Sequence, residues 1–395
     1  MMISIDFQYI QQTLVDLVRI NSVNPSLSSE GSGEVEIGSY VAAALDALGL
    51  EVTTDEFEPN RVNVVGILRG TAHKQGTNGR SLLLNAHMDT VGVEGMADPF
   101  SADIRNGRLY GRGSQDMKAS LAAMLGVAKA FVDSGVQLAG DLWITAVADE
   151  EYASIGMEHL VQTIAAEDIT IDAAIVTEPT DLTLCRAHRG FIWYDVETIG
   201  RAAHGSRFTE GIDANMRMGR FLARLDLLEQ ELRQRPPHPL AGPPSLHASL
   251  LRGGSEISVY AASSRLTLER RTSPGETPAQ ATAELQAIID QLAAEDGTFK
   301  ATVKPTFWRE PFEVSADAPI VQTLAQVMTD QLGSPPTHTG QTYWTDAALL
   351  TEAGIDTVLL GPTGQGLHSA EEWVDVQSVL DLAQILVETA VCFCQ

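Results

Sequence analysis

Five short segments carry most of the residues in this chain that could do chemistry: NAHMDTV at 85–91, GRGSQDM at 111–117, VADEEYA at 147–153, VTEPTD at 176–181 and GLHSAEE at 366–372. They offer two histidines, His87 and His368, together with Asp89, Asp116, Glu150, Glu151 and Glu178. Imidazole and carboxylate ligands without thiolate suit a borderline or hard divalent ion, zinc first, with cobalt or manganese as alternatives. Two such ions about 3.5–4 Å apart need a bridging carboxylate, and they sharpen a shared water into a nucleophile at neutral pH. The inventory is that of a two-metal hydrolase.

Taken singly, each segment also has a plain structural explanation. His87-x-Asp89 at a strand end is more often an ordinary polar turn; its chemical reading has the aspartate orienting the imidazole and raising its basicity. The adjacent Glu150 and Glu151 suit an acidic helix start, which the helix dipole favours. On an extended backbone they would instead point to opposite sides, one toward a metal and the other toward the attacking water. Asp116 follows Gly111 and Gly113, which permit a tight turn, and no Gly-Lys-Ser/Thr follows to make a phosphate loop. Glu178, before Pro179, is a ligand or a capping carboxylate, and His368, after a glycine-rich stretch, is a ligand or a solvated loop histidine. Five coincidences, each just after an apolar run of strand length, favour one shared site, because ligands gather beyond the ends of strands in α/β sheets.

The runs NVVGILRG, SLLLNAH, LWITAVA and DAAIVTE read as buried strands, and 117–134 and 156–166 as helices. Their alternation predicts an α/β fold with a mostly parallel sheet flanked by helices. From about 190 the texture changes to strand (GFIWYDVETIG), polar helix (210–234), two strands (SLHASLLRGG and SRLTLERR), helix (277–294) and strand (FKATVKPTF). That order is ferredoxin-like. The α/β pattern then resumes with a helix at 318–332, the strand DTVLLGP and a closing helix at 375–391. The expected domains are therefore 1–188 and 306–395 as one catalytic domain, with 189–305 inserted into it. A Pro-rich loop, RQRPPHPLAGPPS at 233–245, reads as exposed.

At 395 residues with 44% apolar side chains, the chain can bury more than one core. Acidic residues outnumber basic ones 52 to 26, a field that repels phosphate backbones and anionic lipid and argues against nucleic-acid or membrane partners. Three cysteines, Cys185, Cys392 and Cys394, make no disulfide framework. The N-terminal MMISIDFQYIQQTLVDLVRI carries acids early and reads as an amphipathic helix, neither a signal peptide nor a membrane span. A cytoplasmic protein is expected.

With GRAAHGS, a Gly-Gly followed by RTSPGE, and TDA added, the five segments resemble the zinc-dependent exopeptidase and N-acyl-amino-acid deacylase family, which includes acetylornithine deacetylase, succinyl-diaminopimelate desuccinylase, aminoacylase and glutamate carboxypeptidase. The likeness spans nearly the whole chain in order and spacing. It implies a zinc-exopeptidase-like catalytic domain in which His87 and Glu178 bind one metal, Glu151 and His368 the other, and Asp116 bridges them. By the same resemblance Asp89 orients His87, Glu150 is the general base, and the Asp116–Met117 peptide is cis. The inserted domain is implied to dimerise and act as a lid, with His204 of RAAHGS donating to the oxyanion in a neighbouring subunit, a contribution of about 2.7–4 kcal/mol where such donors have been removed. Arg271 matches the arginine that binds the substrate carboxylate, its planar fork suiting that task, and Asp346 of TDA falls among the substrate-binding positions.

The chain departs from its relatives after the Gly-Gly, where GGSEISVYAAS has Ser258, Ala261 and Ala262 in place of their Asn and Pro-Asp. EPTDLTLCRAHRG looks closest to acetylornithine deacetylases, GQTYWTDAALL to the peptidases and desuccinylases. The expected substrate is thus an N-acyl amino acid or short peptide with a free carboxylate, with a carboxypeptidase or dipeptidase as the alternative. Two rivals are weaker. A single-domain zinc aminopeptidase does not explain the long gap between Glu178 and His368, and a non-catalytic binding protein does not explain why every expected ligand and Glu150 are present.

Overall fold

The computed structural model describes residues 3–72 and 79–395. Met1 and Met2, the head of the expected N-terminal helix, lie outside them. The chain divides into two compact units, one made of Met1–Arg186, Val314–Thr339 and Thr345–Gln395, the other of Ala187–Glu313 and Gly340–Trp344. The expected insert, 189–305, falls within the second.

The first unit begins with α1 (Phe7–Arg19), which Asp6 caps by accepting from the Tyr9 N–H, and α2 (Val35–Ala47). β1 (Glu51–Glu58) and β2 (Arg61–Leu68) form a hairpin, and β3 (Leu82–His87) follows. β4 (Asp103–Arg105) and β5 (Arg108–Tyr110) are short, and a π-turn at Ser114–Lys118 leads into α3 (Ala119–Ser134). Then come β6 (Leu142–Val147), α4 (Ile155–Ala166), β7 (Ala173–Val176) and β8 (Leu184–His188), the last carrying the chain out of the unit.

The second unit holds β9 (Gly190–Ile199), α5 (Ala214–Gln234), β10 (Ser245–Gly253), β11 (Ser263–Thr272), α6 (Pro278–Glu295), β12 (Lys300–Arg309) and β13 (Phe312–Glu313). Its sheet order, β10-β11-β9-β12, is antiparallel throughout, as a ferredoxin-like unit requires. Alternate residues of β9 are buried, and Ile192, Tyr194 and Val196 pack with Phe221 and Leu225 of α5 and Leu285 and Ile289 of α6. The capping box of Thr277 and Gln280, with Pro278 at the first helical turn, fixes where α6 starts. The Pro-rich segment is not wholly exposed: Ala241 and Pro244 are buried.

Back in the first unit are α7 (Pro319–Leu332), β14 (His338–Gln341), which runs into the second unit, α8 (Ala347–Glu352), β15 (Asp356–Leu359), β16 (Gly364–Gln365), β17 (Trp373–Asp375) and α9 (Val376–Phe393). α9 is long and apolar enough to cross a membrane, but 67% of it is buried inside this fold, as befits a core helix.

The main sheet runs β1-β2-β6-β3-β7-β15-β8. The expected α/β sheet flanked by helices is present, and it is mixed rather than mostly parallel: the central four strands are parallel, β6 with β3, β3 with β7 and β7 with β15, while β1, β2 and β8 join antiparallel. Hydrophobic runs alone do not encode direction. Complete burial of β3, β6 and β7 on both faces is what helices on either side of a parallel sheet produce.

Candidate metal centre

Sheet register assembles most of the site. His87, the last residue of β3, lies opposite Val147 of β6, and Asn85 opposite Val176 of β7. Glu150 and Glu151 therefore leave the sheet on one side of His87, and Glu178 on the other. Asp116 arrives differently. Its preceding strand, β5, belongs to a small separate sheet, β16-β17-β5-β4, so this segment follows a strand but not one of the main sheet. The π-turn before α3 carries Asp116, and its Asp116–Met117 peptide is cis. His368 sits in the loop between β16 and β17 at φ +57, half-exposed. Gly366 makes that loop possible: it sits at φ +94, and a Cβ there would lie 1.8 Å from the Glu371 carbonyl oxygen.

Asp116 stands between the two histidines. Its Oδ1 is 3.0 Å from His87 Nε2, and its Oδ2 is 3.3 Å from His368 Nε2. Glu178 Oε1 is 3.8 Å from His87 Nε2, and Glu151 Oε2 is 2.9 Å from His368 Nε2. Two clusters that could each hold a metal ion result, His87-Asp116-Glu178 and Asp116-Glu151-His368, sharing only the aspartate.

The glutamate pair lies in a turn, not on extended backbone, because Asp149 adopts φ +70 and its carbonyl accepts from Tyr152, Ala153 and Ser154. The two side chains still part. Glu151 faces Asp116 and His368, whereas Glu150 feels the charges of Glu178 and then His87.

Asp89 does more than the sequence suggested. The nearest acceptor to His87 Nδ1 is the Asp89 backbone oxygen at 3.0 Å, with the carboxylate at 3.6 Å. That carboxylate accepts from the backbone N–H groups of Glu150 and Glu151 at 3.1 and 3.2 Å and from Asn24 Nδ2 at 2.7 Å. Asn24 also donates to Asp149, and the buried Arg61 binds Asn24, Ser26, Asp149 and Glu34. This network pins the glutamate turn to the end of β3. Sequence reading missed Asn24, Arg61 and Asp149; the acid preceding Glu150-Glu151 was the one visible signal.

Electrostatics test whether cations fit. Burial, then the charge of Asp116, pushes Glu151 up to about 7 and raises Glu178 as well; burial and the charge of Glu178 raise Glu150. His87 would be lowered by its burial, but hydrogen bonds to Asp116 and Asp89 win and raise it, and bonds to Asp116 and Glu151 take His368 to about 10. Such a packed set of acids is penalised until positive charge arrives, and the donor set suits divalent ions.

A pH dependence follows for the metal-free protein. Glu151 and His368 both hold protons more tightly folded than unfolded, so the folded state binds more protons and stability falls as pH rises from about 4.5 toward about 10. Thermal unfolding of chelator-treated protein should show the midpoint falling between about pH 5 and about pH 8, and added zinc should flatten the trend. A rising midpoint without metal would contradict this electrostatic account.

Asp346, the N-cap of α8, is buried, and its charge raises both Glu150 and Glu178, which places it beside the centre. In the second unit His204 is exposed, its Nδ1 accepting from the Ser206 N–H at 3.2 Å. Arg271 lies over the Phe191 ring and gives its Nε to Glu269 at 2.6 Å.

The model of peptidase family M20/M25/M40 matches residues 83–391. The chain is 28% identical over 368 residues to an acetylornithine deacetylase of Myxococcus xanthus, covering 91% of this chain and 92% of that one. It is 26% identical over 400 residues to an N-formyl-4-amino-5-aminomethyl-2-methylpyrimidine deformylase of Bacillus subtilis (strain 168), covering 94% and 91%. Aminopeptidase PepT from Bacillus cereus shares the fold with a TM-score of 0.79 at 17% identity, over 99% of this chain and all of the other.

Proposed function

Because this chain belongs to peptidase family M20/M25/M40, we propose that it is a dinuclear metal-dependent amidohydrolase that removes an acyl group from a small amino-acid derivative. The observation that carries this reading is Asp116, one oxygen toward each of two ligand clusters. His87 and Glu178 would hold one ion, Glu151 and His368 the other, with zinc as the proposed metal. When bound, the ions supply Lewis acidity toward a carbonyl and toward water.

The protein's own groups do the rest. Glu150, outside both clusters, takes a proton from the attacking water onto its carboxylate and returns it to the leaving amine. Asp89 fixes the backbone of Glu150 and so its aim. Asp346 adds negative charge on the same side and favours a substrate with a cationic group. In the second unit, His204 would offer its Nε2–H to the oxyanion of a partner subunit's substrate, and the edge of the Arg271 guanidinium not engaged by Glu269 would take the substrate carboxylate.

A homodimer is the proposed assembly. β10 is an edge strand of the second unit with Leu250 and Leu251 more than half exposed, and Phe208 and Met216 of that unit are also bare, at 77% and 67%. The cytoplasm is the proposed compartment, in keeping with three free cysteines.

Deacylation is favoured over peptide cleavage because both sequence relatives named above act on N-acyl or N-formyl groups by name. The test is a hydrolysis screen over N-acetyl, N-formyl, N-succinyl and N-carbamoyl amino acids and dipeptides, before and after chelation. Turnover of an N-acyl substrate that disappears with the metal and returns with zinc, cobalt or manganese is expected. Turnover of dipeptides alone would move the protein to the peptidases, and metal-independent turnover would defeat the reading.

A further inference from the structure

Four residues beyond His368 lies a carboxylate that neither metal cluster uses. Glu372 has a fully buried side chain. Its Oε2 accepts from Arg112 Nη1 at 2.7 Å and the Gly113 N–H at 3.0 Å, and its Oε1 from the N–H groups of Gln115 at 2.9 Å and Asp116 at 3.1 Å. Both of its oxygens thus grip the turn that presents Asp116. Arg112, also buried, spends its remaining edges on two other segments: Nε donates to the Gly92 carbonyl at 2.9 Å and Nη2 to the Ser369 carbonyl at 3.0 Å. Three ligand-bearing segments meet at this one pair: the chain leaving His87 and Asp89, the Asp116 turn, and the His368 loop.

A buried ion pair is a poor device for stability alone, since the loss of hydration offsets most of the attraction. Its geometry matters more here. His368 is half-exposed and stands on a left-handed backbone, and its Nε2 meets the other two residues of the cluster, Asp116 and Glu151, so the backbone of its loop must be fixed for a shared ion to find it at the right distance from Asp116. Resting on the metal-centre reading above, we propose that Arg112 and Glu372 are positioning residues that hold Asp116 and His368 in register and thereby set the affinity for the ion bound by Asp116, Glu151 and His368.

Glu372→Gln keeps the shape but turns one oxygen into an N–H donor, which must then face the donors of either Arg112 and Gly113 or Gln115 and Asp116. Arg112→Lys keeps the charge but loses the fork that reaches Glu372, Gly92 and Ser369 together. Metal-stripped wild type and both variants would be titrated with cobalt(II), followed by visible absorption and equilibrium dialysis, with thermal unfolding of the metal-free proteins alongside. Wild type should take up two ions. Each variant should keep one tight site and bind the second at least about tenfold more weakly, the scale on which groups behind the ligands act. Glu371→Gln, an exposed neighbour, should bind both as wild type does.

Two tight ions in Glu372→Gln or in Arg112→Lys would overturn the inference. So would equal weakening of both sites together with a lowered midpoint for the metal-free variant, the mark of a general structural role. If Glu372→Gln does not fold, Arg112→Lys decides alone. Wild type that binds no cobalt would fail at the control, overturning the metal-centre reading and this inference with it.

Discussion

Asp116→Ala is expected to strip the protein of both ions and reduce turnover to background. No other residue serves both clusters, and its loss leaves each with one histidine and one glutamate. Changes to groups behind metal ligands cost about 10–100-fold in affinity, and removal of a ligand common to two ions should exceed the top of that range. Charge works in the same direction. The His87 and His368 bonds hold Asp116 well below the ordinary carboxylate range despite its burial, so it remains ionised while Glu151, Glu178 and Glu150 are pushed toward neutrality by burial and by one another. Asp116 is therefore the carboxylate of the two clusters that stays anionic. Elemental analysis of the purified variant after incubation with zinc is the check. Two ions per chain retained by Asp116→Ala would mean that the clusters are independent, and the dinuclear reading would fall.

Which parts of this site could be read from residues alone depends on how locally each is encoded. The positions of His87 and Glu178 were legible because an apolar run announces a buried strand and the candidate ligand comes at its end or two residues past it. The ferredoxin-like insert was legible for a similar reason: alternation in β9 and β12 differs visibly from the continuous burial of β3. Strand direction was not, because the antiparallel joining of β1, β2 and β8 depends on loop paths and not on composition. The turn at Asp149 was hidden too, since its left-handed backbone is enforced by partners far away in sequence. Asn24 and Arg61 reach that turn from 125 and 88 residues upstream, and Glu372 reaches the Asp116 turn from 256 residues downstream. Long-range polar pairs of this kind leave no periodicity.

Glu150→Gln should keep both ions and lose catalysis. The side chain belongs to neither cluster, and an amide of the same shape can hold a water but cannot accept its proton. General bases of this type contribute about 10²–10⁴-fold, so kcat should fall by that factor while KM changes far less, because proton transfer matters in the transition state more than in substrate binding. Burial and the Glu178 charge raise the Glu150 carboxyl. A base must be deprotonated to act, so the wild-type rate should rise with pH through the pKa of this group, moderated once ions neutralise Glu178, and that acidic limb should vanish in Glu150→Gln. Glu150→Asp separates charge from reach: it keeps a base but withdraws it by one methylene, and should recover only part of the rate. Loss of metal from Glu150→Gln would make Glu150 a ligand. Undiminished turnover with both ions in place would give the proton to another group, with Asp346 the next carboxylate on that side of the centre.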